Sequence, residues 1–281
     1  MTYAELYDYY KEKREREMCF GIDTLDTDTF ELDGCQYFMK AHSDAYDFEL
    51  ISYPDSVEVL EVPDFVTGIS IPANKVGLNT RLKKVILNDR CRVINEKSFE
   101  SCVALKEINL KNISYIGNSA FKSCISLKDI EFGSDLKYLG NRAFSQSGIT
   151  SLKFNSCLDS LCSSCFSYCR DLLTVDGLNC LLPATVYKTK LIQGVHGGIF
   201  RNCNNLKKVS IGKLDAFTED FFWHCENLEQ VEVKEQVAVL VGNMAFYKCN
   251  MNLDFMYRGV KVGIKDIING ETNRLGILNG E

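Results

Sequence analysis

The chain has 281 residues, of which 46% are hydrophobic and 25% charged, with a formal net charge of −6. That balance suits a folded globular protein and argues against disorder, and the acidic sign gives no support for nucleic acid or an anionic membrane as a partner. No apolar run reaches the roughly 18 residues a membrane-spanning helix needs, so no membrane insertion is expected.

Residues 2–18 read as a helix. Thr2 and Glu5 have the T-x-x-E spacing of a capping box. Tyr3, Leu6, Tyr7 and Tyr10 fall at i, i+3, i+4 and i+7 and line one apolar face, while the stretch 11–17 is charged and solvated. The N-terminus lacks the basic segment and apolar run of an export signal. Asp23, Asp26 and Asp28 lack the Gly and terminal Glu of a calcium loop and read as solvated carboxylates. Phe30 and Leu32 alternate, Asp33-Gly34 is a hairpin turn, and Tyr37 and Met39 alternate again; Tyr46, Phe48 and Leu50 predict another strand. Residues 1–56 are expected to form an N-terminal cap of one helix and short strands, or alternatively a small ligand-binding domain.

A repeat dominates the remainder. Phenylalanines stand at 99, 121, 144, 166, 200, 222 and 246, with spacings of 22, 23, 22, 34, 22 and 24. Three residues after each comes Cys102, Cys124, Cys169, Cys203, Cys225 or Cys249, with Ser147 in the third copy. Leu105, Leu127, Leu172, Leu206 and Leu228 follow three later, then Ile108, Ile130, Val175, Val209 and Val231. The third copy is one residue short after Ser147, so Ile149, Leu152 and Phe154 fill its slots. A degenerate earlier copy places Val76 in the Phe slot and Asn79 in the Cys slot, and segments 60–62 and 69–71 look like partial strands before it.

A unit of this size cannot bury its own apolar face, but stacking turns each slot into a continuous column. The L-x-x-I-x-L tract ends in period-2 alternation and predicts a strand in a parallel sheet. The A-F-x-x-C segment predicts a tight helical or 3₁₀ turn that drives the Phe ring inward, making an aromatic spine. The fold expected is α/β: a leucine-rich-repeat solenoid of about eight stacked coils of 22–23 residues, spanning 57–257, with an insert near 178–195 and a C-terminal cap or tail at 258–281.

Residues 116–132, Ile116-Gly117-Asn118-Ser119-Ala120-Phe121 through Cys124, Leu127, Ile130 and Phe132, follow the pattern I-G-x-x-A-F-x-x-C-x-x-L-x-x-I-x-L. The pattern resembles the BspA-like class of leucine-rich repeats over about residues 57–257. The resemblance implies a curved solenoid with a recognition role, commonly in surface adhesion by bacteria and some protists, and hence a cell-surface or secreted location. The thirteen cysteines point the other way. Eight of them (91, 102, 124, 165, 169, 203, 225 and 249) fall in core slots, so unpaired thiols and a reducing, cytoplasmic compartment are favoured.

Candidate chemistry is sparse. Cys162, Cys165 and Cys169 could hold a metal, but each also fits a repeat slot, and packing is the favoured reading. His42, His196 and His224 lie in no catalytic signature, and there is no phosphate loop, dinucleotide fingerprint or nucleophile elbow. No enzyme activity and no cofactor are expected. Binding is expected on exposed strand positions and on the insert. Lys84, Glu107, Asp129, Ser151, Thr174, Lys208 and Gln230 form one outward column. Ile86, Asn109, Glu131, Lys153, Asp176, Ser210 and Glu232 form a second. This polar face suits a protein or glycan partner, and equally an unused solvated face. The insert carries Leu182, Tyr187 and Lys188; it reads either as a projecting contact loop or as a cover over a local gap, with Gly177 marking an irregular end to the strand before it. A monomer acting as a noncatalytic protein-interaction module is the function expected, against a bacterial adhesin or a metal protein.

Overall fold

The structure, a computed structural model, describes residues 2–19, 27–41, 46–72, 78–180, 197–214, 216–235, 240–241 and 244–263. Helix α1, Tyr3–Cys19, starts as the T-x-x-E spacing predicts: Thr2 N–H donates to the Glu5 carboxylate at 2.7 Å and Glu5 N–H to the Thr2 hydroxyl at 3.3 Å. Leu6 and Tyr10 on its apolar face are buried, and Tyr3 and Tyr10 pack their rings on Phe48 at 6.0 and 5.9 Å. Strands β1 (Thr27–Leu32), β2 (Cys35–Ala41) and β3 (Tyr46–Ser52) pair antiparallel beneath the helix, and Asp33 and Gly34 turn the first hairpin with φ of 52° and 75°.

β3 then pairs in parallel with Gly68–Ile69, and a ladder of two-residue strands continues through Val93–Ile94, Tyr115–Ile116, Tyr138–Leu139 and Ser160–Leu161. One wall of the solenoid is therefore the N-terminal hairpin prolonged coil by coil. The opposite wall holds the L-x-x-I-x-L strands. Val59–Glu61, Lys84–Ile86 and Glu107–Ile108 form its first segment. Asp129–Glu131, Ser151–Lys153, Thr174–Cys180, Lys208–Leu214, Gln230–Val233 and Asp254–Tyr257 form its second, closed by the antiparallel strand Val260–Val262. The two segments part between Glu107–Ile108 and Asp129–Glu131.

The Phe turns make a ridge joining the two walls. Each turn has the i→i+3 bonds of a 3₁₀ turn, as from Cys124 N–H to Phe121 O at 3.3 Å. A continuous helix does not form, because residues two before and two after the Phe are left-handed: Ser119 and Ser123 around Phe121, Arg142 and Gln146 around Phe144. Their alternation turns every second N–H outward along the stack. Phe99, Phe121 and Phe144 N–H groups donate to carbonyls of the next coil at 2.9, 2.7 and 2.8 Å. Stacking thus satisfies backbone groups that an isolated turn would leave unpaired.

Inside, the rings of Phe99, Phe121, Phe144, Phe166, Phe200 and Phe222 stack with centroids 5.0–5.7 Å apart and planes within 16°. Phe200 sits directly on Phe166 at 5.5 Å, so the long spacing between them is accommodated wholly outside the spine. The cysteine column is more than small apolar filler. Cys124, Cys169, Cys203, Cys225 and Cys249 each point the thiol at the carbonyl of the preceding coil's Phe, all at 3.1 Å. Asn79 occupies the same slot in the degenerate coil and bridges to Cys102; Val76 lies outside the described residues.

One boundary differs from the sequence expectation. The strand does not end at Gly177 but runs through Thr174–Cys180, with a bulge between Val175 and Leu178. Gly177 takes φ of 70°, and a Cβ there would meet the Phe154 carbonyl oxygen at 2.5 Å. Only glycine fits this kink, after which Leu178 and Cys180 return to the core. Residues 178–180, assigned from sequence to the insert, are therefore strand.

Candidate functional site

The exposed face of the L-x-x-I-x-L wall is the surface on which most of the predicted binding residues fall. Parallel register puts Lys84 opposite Glu107, and runs Asp129, Ser151, Thr174, Lys208, Gln230 and Asp254 as one line. Glu131, Lys153 and Asp176 run beside it, followed in a second stretch by Ser210, Glu232 and Met256. The columns extend past the predicted ends, to Val59 and Glu61 at one side and to Asp254 and Met256 at the other. The same spacing around Leu60 and Leu253 carries the signal for those additions.

Charges on this face pair from coil to coil. Lys84 meets Glu107 at 2.7 Å and Lys153 meets Glu131 at 2.8 Å. Beside them, Lys83 meets Glu58 at 2.7 Å and Lys128 meets Asp171 at 3.0 Å. Asp129 accepts from the Ser151 and Thr150 hydroxyls at 2.7 and 2.8 Å, which holds its carboxyl below the usual range. The Lys153 ammonium does the same for Glu131, and Lys84 for Glu107. Asn109 accepts the Lys111 N–H at 3.1 Å and shapes the turn there. Asp176, Lys208 and Glu232 make no ion pair among the described residues.

The seam between the two sheet segments gathers several of these groups. Lys84, Ile86, Glu107, Asn109, Lys128 and Asp129 surround a hollow of about 490 Å³ there. Ile86 and Val59 expose 41% and 49% of their surface, giving an apolar margin to an otherwise polar face. The wall therefore offers a recess with matched charge, ordered by its own ion pairs. Leu182, Tyr187 and Lys188 of the insert lie outside the described residues.

The Cys162–Cys169 cluster does not converge. Cys169 faces the Phe144 carbonyl and the Ser147 hydroxyl at 3.1 and 3.3 Å, and burial pushes its thiol up to about 11. Cys165 donates to the Cys162 carbonyl at 2.8 Å, and Cys162 to the Tyr138 hydroxyl at 3.4 Å. Among the described residues no three His, Cys, Asp or Glu side chains come together as metal donors. His224 bonds Glu226 at 3.0 Å on the ridge, while His42 and His196 lie outside the described residues.

Stacked coils with Phe, Cys and Leu columns define a leucine-rich-repeat solenoid. The pattern described as "BspA type Leucine rich repeat region" matches residues 52–176 and 179–256 in six copies, and the chain belongs to that family. Similar solved structures include a leucine-rich repeat protein from Bacteroides ovatus ATCC 8483, 19% identical, covering 80% of this chain and 81% of that one with a TM-score of 0.32. A leucine-rich repeat protein of T. pallidum is 20% identical over 72% of this chain and 91% of its own, TM-score 0.38. A leucine rich cell surface protein from Faecalibacterium prausnitzii A2-165 is 14% identical over 87% and 98%, TM-score 0.34. No curated protein matches the chain. The family assignment rests on the repeat match.

Proposed function

We propose that the protein is a noncatalytic recognition module that binds a protein partner, as a monomer, through the exposed face of the L-x-x-I-x-L wall. The observation that carries this is the seam, where Lys84, Glu107, Asn109 and Asp129 surround one recess edged by Ile86. Interfaces combine an apolar anchor with polar groups already fixed in place, because side chains that are ordered beforehand lose less entropy on binding. The coil-to-coil ion pairs supply that order.

The test is a purified partner pair, obtained by affinity capture from the native environment and then measured alone. Glu107→Lys with Asp129→Lys should weaken binding at least about tenfold, roughly 1.4 kcal/mol or more. Thermal unfolding should barely move, since both groups are exposed. Unchanged affinity would show the face to be merely solvated. Loss of capture on deleting residues 181–191, with stability intact, would move the contact to the insert.

A further inference from the structure

The Phe144 coil is one residue short: Phe121 to Ile130 is a step of nine residues, Phe144 to Leu152 a step of eight. The core does not register the loss, since Phe144 stacks at 5.0 and 5.5 Å on its neighbours. The ridge does. Gly148, next after the Cys slot, lies against the backbone of the preceding coil, its N–H donating to Cys124 O at 3.1 Å as Val103 N–H does to Asn79 O at 3.0 Å. A Cβ on it would meet the Ile125 carbonyl oxygen at 1.9 Å. In the flanking coils the equivalent positions carry Ile125 and Arg170. A side chain is thus missing between two that project, and the result is a notch.

The notch is a hollow of about 490 Å³ whose walls include Ile125, Tyr168, Arg170 and Asp171. Through Gln146 and Tyr168 it adjoins a second hollow of about 470 Å³, walled by Lys122, Arg142 and Arg201. Four cations and one carboxylate therefore surround the pair of hollows, on a chain whose net charge is −6. Some are already engaged: Lys122 with Glu100 at 2.7 Å, Arg201 with Asp220 at 3.1 Å and over the Trp223 ring at 4.1 Å, Asp171 with Lys128 at 3.0 Å. Arg142 and Arg170 have no ion-pair partner among the described residues. Two exposed apolar groups share these walls, Tyr168 at 39% in both hollows and Ile125 at 57% in the notch beside Arg170.

We propose that this ridge notch binds an extended acidic peptide segment of a partner protein. Carboxylates of the segment engage the uncommitted guanidinium groups of Arg142 and Arg170, whose planar donor forks match a carboxylate. An apolar side chain of the segment packs between Ile125 and Tyr168. That apolar pair favours a peptide over an anionic glycan, which would leave it without a partner. The proposal rests on the chain being a protein-recognition module, but not on which face of the sheet wall is used.

The experiment titrates the full chain against a fluorescent peptide in which pairs of Asp alternate with pairs of Leu, so that each face of the extended chain carries both. Its counterpart with Asn for Asp and a heparin oligosaccharide run in parallel. The acidic peptide should bind, more weakly as salt rises, and the Asn counterpart should not. Arg142→Gln with Arg170→Gln should lower affinity at least about tenfold, and Ile125→Ser should lower it severalfold. Both variants should keep the unfolding temperature of the parent, because these side chains are exposed. Equal binding of the two peptides, indifference to the arginine pair, or tighter binding of heparin with indifference to Ile125→Ser would each overturn the proposal. Glu107→Lys with Asp129→Lys serves as the control for the other surface. Failure of the peptide with partner capture intact removes the notch and leaves the sheet-face reading standing; the reverse removes the sheet face alone.

Discussion

The coils around Phe121 and Phe144 differ by one residue, and the difference falls almost entirely on the surface. In both, the Phe ring lies in the spine and the strand residues Ile130 and Leu152 pair in register. In the first, Ile125 projects from the ridge and Cys124 points its thiol at the Phe99 carbonyl. In the second, Gly148 is pressed against the coil before it and Ser147 bonds the Cys169 sulfur at 3.3 Å. Columns of side chains constrain the inward positions because each is packed by two neighbours. Positions between the columns are packed by none, so a deletion is absorbed there and leaves a dent.

The largest expected effect tests whether the spine is indifferent to coil length. Phe121→Ala and Phe144→Ala should each cost about 3–5 kcal/mol in urea unfolding, by the same mechanism of a large buried cavity. A much smaller cost at Phe144 would show that the short coil is looser than its neighbours. Alkaline pH probes the buried thiols next. Burial pushes Cys91 and Cys249 up to about 12 and Cys102 to about 11, from the ordinary value of 9.0. The folded values are the higher ones, so the stability they contribute is complete below pH 9.0 and is lost as pH rises through that value toward 11 and 12. Each such thiol adds about 1.4 kcal/mol of loss per pH unit in that window. Unfolding midpoints that stay flat from pH 8 to pH 11 would contradict the burial of these thiols.

Gly148→Ala should cost about 1–3 kcal/mol, because its Cβ has nowhere to go without moving the backbone of the preceding coil. Ile125→Ala, at the matching position of the full-length coil, should be almost neutral. Cys124→Ala should cost about 1 kcal/mol, as the Phe99 carbonyl keeps the Cys102 N–H at 3.2 Å as a partner. The smallest effect belongs to Lys153→Ala, which breaks an exposed pair with Glu131 and should leave the melting curve in place at any salt concentration.

The columns were legible in the sequence because each inward slot demands a side chain of one size at one spacing, as at Phe121, Cys124 and Leu127. The capping box of Thr2 and Glu5 and the turn at Asp33-Gly34 were legible because those motifs are local. The thiol-to-carbonyl bonds were not, since a buried Cys reads simply as a small apolar residue. Nor were the left-handed conformations of Ser119, Arg142 and Tyr168, which residue preference disfavours and which the stacking of coils imposes. The outward columns followed from alternation alone, but the seam beside Glu107 and Asp129 depends on how neighbouring strands splay, and no spacing encodes that. The missing residue after Ser147 was visible, yet only the position of Gly148 showed that it opens a notch.

The ridge bonds carry a mechanical consequence. Phe99, Phe121 and Phe144 N–H groups all point along the stack toward the next coil, so the links between layers are in series along one axis. A pull along that axis puts every link under the same tension, so the weakest link between layers gives first. A released coil of 22 or 23 residues supplies roughly 70 Å of slack. Under force the molecule would lengthen coil by coil, with the longest step from the 34 residues between Phe166 and Phe200.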